Sequence, residues 1–204
     1  MARRSNADME KTKQLLLEEG VLLLQESGYN ATGIQEIAAS ASIPKGSFYN
    51  YFASKEDFAA EVIRYYASTS LATWRKALGE AKTEDASQAL YASFLAAVEK
   101  YRCLELKKGC LLGTLAAEIS EASDVCRVAL QESIEAFQAV VTEYLSLGQA
   151  DHAVRNDVEA KALAAVVWDA WQGSLLRMKV SKSVDPVQQD LKILFDVLLR
   201  RQTK

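Results

Sequence analysis

Between Ile43 and Lys55 the chain carries Lys45, Ser47, Tyr49, Asn50, Tyr51 and Lys55 and no acidic residue. Lysines and hydroxyls suit phosphate oxygens, and an asparagine amide can pair with an adenine edge through two hydrogen bonds. Gly46 has no side chain, so the backbone there can approach a sugar–phosphate edge closely. This is the chemistry of recognition, not of bond making. His152 is the only histidine and falls in a polar stretch, which nearly excludes a triad built on histidine. No histidine–cysteine cluster has metal-ligand spacing, and Gly109 and Gly113 punctuate helices rather than form a phosphate loop. No catalytic group, metal or cofactor is expected.

The elements that must position these residues are legible from capping and spacing. Thr32 followed by Gln35 fits a capping box, so a helix is expected to start at Gly33. Ile34, Ile37 and Ala38 give it one apolar face, and Ala38, Ala39 and Ala41 let a second helix cross closely. Pro44 is tolerated in a first helical turn and restarts the chain, giving a short helix over Lys45 to Tyr51. Phe48 and Phe52 anchor it to a core. Ser54 with Asp57 is a second capping pattern, and it places Lys55 at a helix N-terminus, where phosphates are favoured. With Met9 to Ser27 as a supporting helix, the order is that of a helix-turn-helix.

The runs IPKGSFYNYFASKEDF and ATGIQEIA resemble the recognition segment of the TetR (tetracycline-repressor-like) family of bacterial transcriptional regulators. The resemblance covers about the first quarter of the chain. It implies a homodimer with an N-terminal DNA-binding domain and an all-helical C-terminal domain that dimerises and binds a ligand. It also implies that Thr32, Gln35, Lys45, Gly46, Ser47, Tyr49, Asn50, Tyr51 and Lys55 face double-stranded operator DNA. Asn50 and Gly33 depart from the commonest residues of the family at those positions, which bears on operator identity.

Charge and composition set the remaining bounds. Within residues 1–55, Arg3, Arg4, Lys11, Lys13, Lys45 and Lys55 are balanced by Asp8, Glu10, Glu18, Glu19, Glu26 and Glu36, and the formal net charge of the chain is -3. A general nucleic-acid coater carries a large basic excess, so two half-sites acting together are expected to supply affinity. At 204 residues and 50% hydrophobic, with two prolines, the chain is expected to be helical almost throughout. Three cysteines without regular pairing, no signal-peptide core and no apolar run long enough for a bilayer point to the cytoplasm.

Beyond a DNA-binding domain over residues 1–54, the spacing predicts a helical ligand-binding and dimerisation domain over 55–204. Its helices are expected at about 55–79, 84–102, 110–119, 122–147, 157–180 and 186–201, with a polar connector over 148–156. Cys126, Leu130, Phe137, Val141 and Tyr144 stripe one long helix, and Trp168, Trp171, Leu175 and Met178 stripe the next. Leu163, Val167, Ala170 and Ser174 form a separate stripe on the latter, so this pair is expected to build a symmetric four-helix interface. Trp74, Tyr91, Phe94, Tyr101, Trp168 and Trp171 could line a ligand pocket or fill the core. Cys110 follows Lys107, Lys108 and Gly109 at an expected helix start, in a cationic setting that suits a reactive thiol as well as a buried one. KGCLLGTLAAEIS and LLRMKVSKSVDP resemble TetR-family repressors that control electrophile and quinone detoxification genes. That likeness implies an electrophile or redox sensor at Cys110 with Lys179 as electrostatic partner. Cys126 on its apolar stripe is expected to be inert. The reading of a different class is a helical protein-interaction module, which would leave Tyr49, Asn50 and Lys55 without a role.

Overall fold

The computed structural model describes residues 6–81, 83, 85–103 and 109–201; Arg3, Arg4, Glu84, Lys107 and Lys108, named above, lie outside the described residues. Among the described residues eight α-helices follow one another: α1 (Asn6–Ala31), α2 (Ile34–Ser40), α3 (Lys55–Gly79), α4 (Ala86–Cys103), α5 (Leu111–Ile119), α6 (Asp124–Ala150), α7 (Ala160–Ser181) and α8 (Asp185–Ile193). A short 3-10 helix, Lys45–Asn50, stands between α2 and α3. A π-helical turn, Leu194–Leu198, extends α8, closed by the Leu199 amide donating to the Leu194 carbonyl at 2.8 Å. Among the described residues there is no strand, only an isolated bridge between Val154 and Arg200. No helix among them is long and apolar enough to cross a membrane.

The chain forms two compact units. One gathers the residues up to Ser68 with Leu111–Ser133; the other gathers Thr69–Cys110 with the residues from Ile134 onward. The first unit is therefore not one continuous stretch. Its core joins Leu16 and Leu24 of α1, Phe58, Val62 and Ile63 of α3, and Leu111, Leu112, Leu115 and Ile119 of α5, all fully or almost fully buried. Gly20 makes this packing feasible, because a Cβ there would lie 2.6 Å from the Phe58 ring and 2.8 Å from Val62. α1 also breaks within its length. Gly28 has φ 77 and ψ 176, a left-handed conformation that glycine adopts at no steric cost.

In the second unit α7 packs against α8, and α8 against α4. Trp168, Trp171, Leu175 and Met178 are buried, as their spacing led one to expect. Phe137 stacks on Trp168 at 5.0 Å between centroids, and Phe94 lies 4.9 Å from Trp171. The four-helix expectation needs correction in one respect. The stripe of α6 is spent inside the fold, with Cys126, Leu130, Phe137 and Val141 all buried. α6 does expose Val125, Val128 and Leu147, none of them among those stripe residues; further exposed apolar residues fall on α7 (Val166, Leu176, Val180) and on the end of α8 and its extension (Ile193, Val197, Leu198). Each of these two helices buries one face and leaves another apolar face open. The polar connector keeps its expected length but shifts three residues along the chain, to 151–159, since α6 runs on to Ala150 and α7 begins at Ala160; Val154 tucks under Gly148.

Candidate nucleic-acid interface

The short helix is set at an angle to α2 by a tight turn. Ser42 takes φ 54, its amide donates to the Ala39 carbonyl at 2.9 Å, and the Ile43 amide donates to the Ala38 carbonyl at 2.9 Å. That pair of bonds is a Schellman stop, here with serine where glycine is usual, and buried Ile43 and Ala38 supply its apolar contact. Pro44 caps the next element from outside, with φ -60 and ψ 143, rather than sitting within its first turn. The short helix expected over Lys45 to Tyr51 is present as Lys45–Asn50, wound as a 3-10 helix, which is tighter than an α-helix. Its single fully buried side chain is Phe48, which meets Phe52 at 5.4 Å and Phe58 at 5.6 Å. This aromatic floor fixes which residues can face outward.

Gln35, Lys45, Gly46, Tyr49 and Asn50 are exposed, and Ser47 and Tyr51 are half-buried. Tyr49 is 55% exposed, a large fraction for an aromatic ring, although its edge meets Phe48 at 5.4 Å. A Cβ on Gly46 would meet nothing within 4 Å, so no packing inside the chain demands glycine there. The space it leaves opens outward.

Two residues of the expected DNA-facing set turn inward. Thr32 is fully buried, and its hydroxyl donates to the Gly28 carbonyl at 2.7 Å. It does not cap α2, whose N-cap is Gly33 without a side-chain bond. The expected capping box is therefore replaced by a staple across the break in α1. Lys55 is half-buried; its ammonium donates to the Tyr29 carbonyl at 2.7 Å and stands 4.0 Å from the Tyr29 ring centroid. Burial holds its pKa below the ordinary lysine value, with Glu56 and Glu118 acting the other way. Tyr29 itself is pushed up to about 12 by burial and by neighbouring Glu56. The second capping pattern appears as expected, Asp57 donating its amide to Ser54 Oγ at 3.0 Å.

Sequence reasoning passed over Tyr29 and Glu118. Glu118 Oε2 accepts hydrogen bonds from the amides of Tyr29 at 2.8 Å and Asn30 at 3.1 Å. A Cβ on Gly28 would strike the same carboxylate. The run Ser27-Gly28-Tyr29 does mark a helix break in the sequence, but nothing local in α5 identifies Glu118 as its partner.

The residues expected to sense a ligand belong to the second unit. Cys110 is 7% exposed and precedes the first residue of α5. A Cβ on its neighbour Gly109 would lie 3.2 Å from Lys179 Cε and 3.5 Å from Nζ, so the Lys179 side chain runs along that glycine. Tyr101 is half-buried, 6.2 Å from Trp171, within the same aromatic network as Trp74, whose indole N–H donates to Ser93 Oγ at 2.8 Å. A cavity of about 350 Å³ in the second unit is lined by Asp85, Tyr91, His152, Phe195 and Arg200 among others, and neither Trp168 nor Trp171 borders it. Cys126 is fully buried, its thiol donates to the Glu56 carbonyl, and burial pushes its pKa up. That matches the core position expected of this cysteine. Among the described residues no acidic, histidine or cysteine group could hold a metal.

The family model described as "Bacterial regulatory proteins, tetR family" matches residues 16–62, and that of the tetracyclin repressor-like C-terminal domain matches residues 87–194. The chain is 34% identical over 191 residues to the HTH-type transcriptional repressor DhaR of Mycobacterium sp. (strain GP1), covering 92% of each. It is 30% identical over 182 residues to the transcriptional repressor NemR of Escherichia coli K12, covering 88% of this chain and 90% of that one. The crystal structure of reduced E. coli NemR superposes with a TM-score of 0.86 at 25% identity, covering 95% of this chain and all of the other. A regulatory protein TetR from Rhodobacter sphaeroides gives 0.83 at 29% identity, covering 91% and 97%. With both halves matched and the helix-turn-helix built as its residues require, the chain belongs to the TetR family of bacterial regulatory proteins.

Proposed function

We propose that this TetR-family regulator is a cytoplasmic repressor, not an enzyme, and that residues 1–54 form its DNA-reading element. Paired Lys45–Asn50 helices enter successive major grooves of a palindromic operator, about one helical turn apart. The observation that carries this is the exposure of Gln35, Lys45, Gly46, Tyr49 and Asn50, with no acid between Ile43 and Lys55 and a buried phenylalanine floor beneath Lys45–Asn50. Lys45 and Ser47 contact phosphates, Tyr49 and Tyr51 pack on the groove edge, and Asn50 reads an adenine. The open apolar faces of α7 and α8, with Val166, Leu176, Val180, Ile193 and Val197, meet their symmetry mates in the dimer. The match of residues 16–62 to the bacterial regulatory model and the likeness to transcriptional repressors favour this reading over a protein-interaction module.

Release follows from a small molecule or from modification of Cys110. Lys179 beside Gly109 supports the second route, since an ammonium close to the thiol would stabilise an anionic adduct or thiolate. The aromatic network of Tyr101, Trp168 and Trp171 is the apolar neighbour for a planar ligand. Selection from random duplexes followed by gel shift tests the regulator reading: an enriched palindrome is expected, and no enrichment overturns it. Cys110→Ser tests the sensor. Release of DNA by a quinone is expected to vanish in that variant, and an unchanged response would exclude Cys110.

A further inference from the structure

We infer that Glu118 is a positioning residue for DNA recognition: its carboxylate ties α5 to the break in α1 and so fixes the attitude of the reading helix. The inference rests on the proposed DNA-binding function and concerns only groups within the first unit.

Four independent restraints converge on Gly28–Thr32. The Thr32 hydroxyl closes onto the Gly28 carbonyl, and the Lys55 ammonium onto the Tyr29 carbonyl. Glu118 Oε2 takes the amides of Tyr29 and Asn30 together. Gly28, with φ 77, supplies the left-handed turn, and the carboxylate occupies the space that a side chain there would need. Of these partners only Glu118 comes from outside the continuous N-terminal stretch, 89 residues away from Tyr29 along the chain. The apolar packing of α1 on α5, through Leu16, Leu24, Leu111, Leu115 and Ile119, resists separation but is non-directional. Two charge-assisted hydrogen bonds to one oxygen are directional, so they settle the angle at which α1 hands over to α2. α2 carries Gln35 and leads through the Ser42 turn to Lys45–Asn50. An error in that angle displaces both reading helices of a dimer, and the operator senses it as a change in preferred half-site spacing.

The test uses full-length wild type, Glu118→Ala and Glu118→Gln, each offered duplexes carrying the selected half-site twice at spacings varied one base pair at a time. Wild type is expected to favour one spacing. Glu118→Ala is expected to reduce that preference about tenfold, the worth of a hydrogen bond to a charged group. Glu118→Gln keeps an oxygen that can accept from both amides, and its preference should stay within about threefold of wild type. Hydrogen exchange at the Tyr29 and Asn30 amides should be slow in wild type and Glu118→Gln and fast in Glu118→Ala. An alanine variant that keeps the wild-type spacing preference, or loses affinity equally at every spacing, overturns the inference. Should it not fold, Glu118→Asp, one methylene too short to reach both amides, is read the same way. A wild-type chain that selects no paired half-site removes the DNA-binding reading itself, an outcome visible without any change at Glu118.

Discussion

Lys55 separates two kinds of contribution that the sequence leaves superimposed. Lys55→Met keeps most of the apolar stem and deletes the ammonium. In the folded chain that ammonium donates to the Tyr29 carbonyl at 2.7 Å and stands 4.0 Å from the ring centroid. A hydrogen bond from a charged donor contributes about 1.5–3 kcal/mol, and a cation–π contact at a half-exposed site about 0.5–1 kcal/mol. Desolvation of the lysine offsets part of this, as the downward displacement of its pKa records. A net loss of about 2 kcal/mol is therefore expected, which for a chain of this size lowers the melting temperature by roughly 4–8 °C. A lysine that touches phosphate would leave a different trace. Each phosphate contact adds about 0.9 to the slope of log affinity against log salt, so a dimer would lose about 1.8. Thermal melting by circular dichroism and operator binding across a salt series read the two quantities separately. The expected result is a lower melting temperature with the salt slope retained. A slope reduced by about 2 at unchanged melting temperature would refute the structural role drawn from Tyr29.

Ser42→Gly should raise stability by about 0.5–1 kcal/mol in chemical denaturation, because glycine occupies the φ 54 stop without steric strain; a weaker variant would contradict that reading. The Tyr29 phenol, pushed up to about 12, lends stability that is whole below about pH 10 and fades as the pH rises towards 12. Tyr29→Phe should accordingly delete the latest phase of the ultraviolet tyrosinate titration, and a late phase that survives would assign it elsewhere. Asn50→Ala should relax specificity at one base pair per half-site by roughly 5–150-fold, the equivalent of about 1–3 kcal/mol; an unchanged base preference would clear Asn50 of that part.

The sequence by itself determined the helices and the reading segment. Ser54 with Asp57 starts α3 at Lys55, and the α3 bounds expected from spacing, Lys55 to Gly79, are those observed. Phe48 and Phe52, four residues apart, pack together as their spacing requires. These features were legible because capping, turn chemistry and helical periodicity act over a few residues, all of which a reader of the chain has in view. The Thr32–Gln35 box failed for the same class of reason: Thr32 had a second acceptor, the Gly28 carbonyl, and the left-handed turn at Gly28 brought it within reach. Only the tertiary structure decided where side chains of ambiguous type would point. Lys55 could serve a phosphate or a carbonyl, and the position of Tyr29 settled the matter. α7 is apolar on more than one side, and which side remained open depended on α8 packing against it. Glu118 gave no local sign at all, because its two hydrogen bonds exist only after α5 has come to rest against α1.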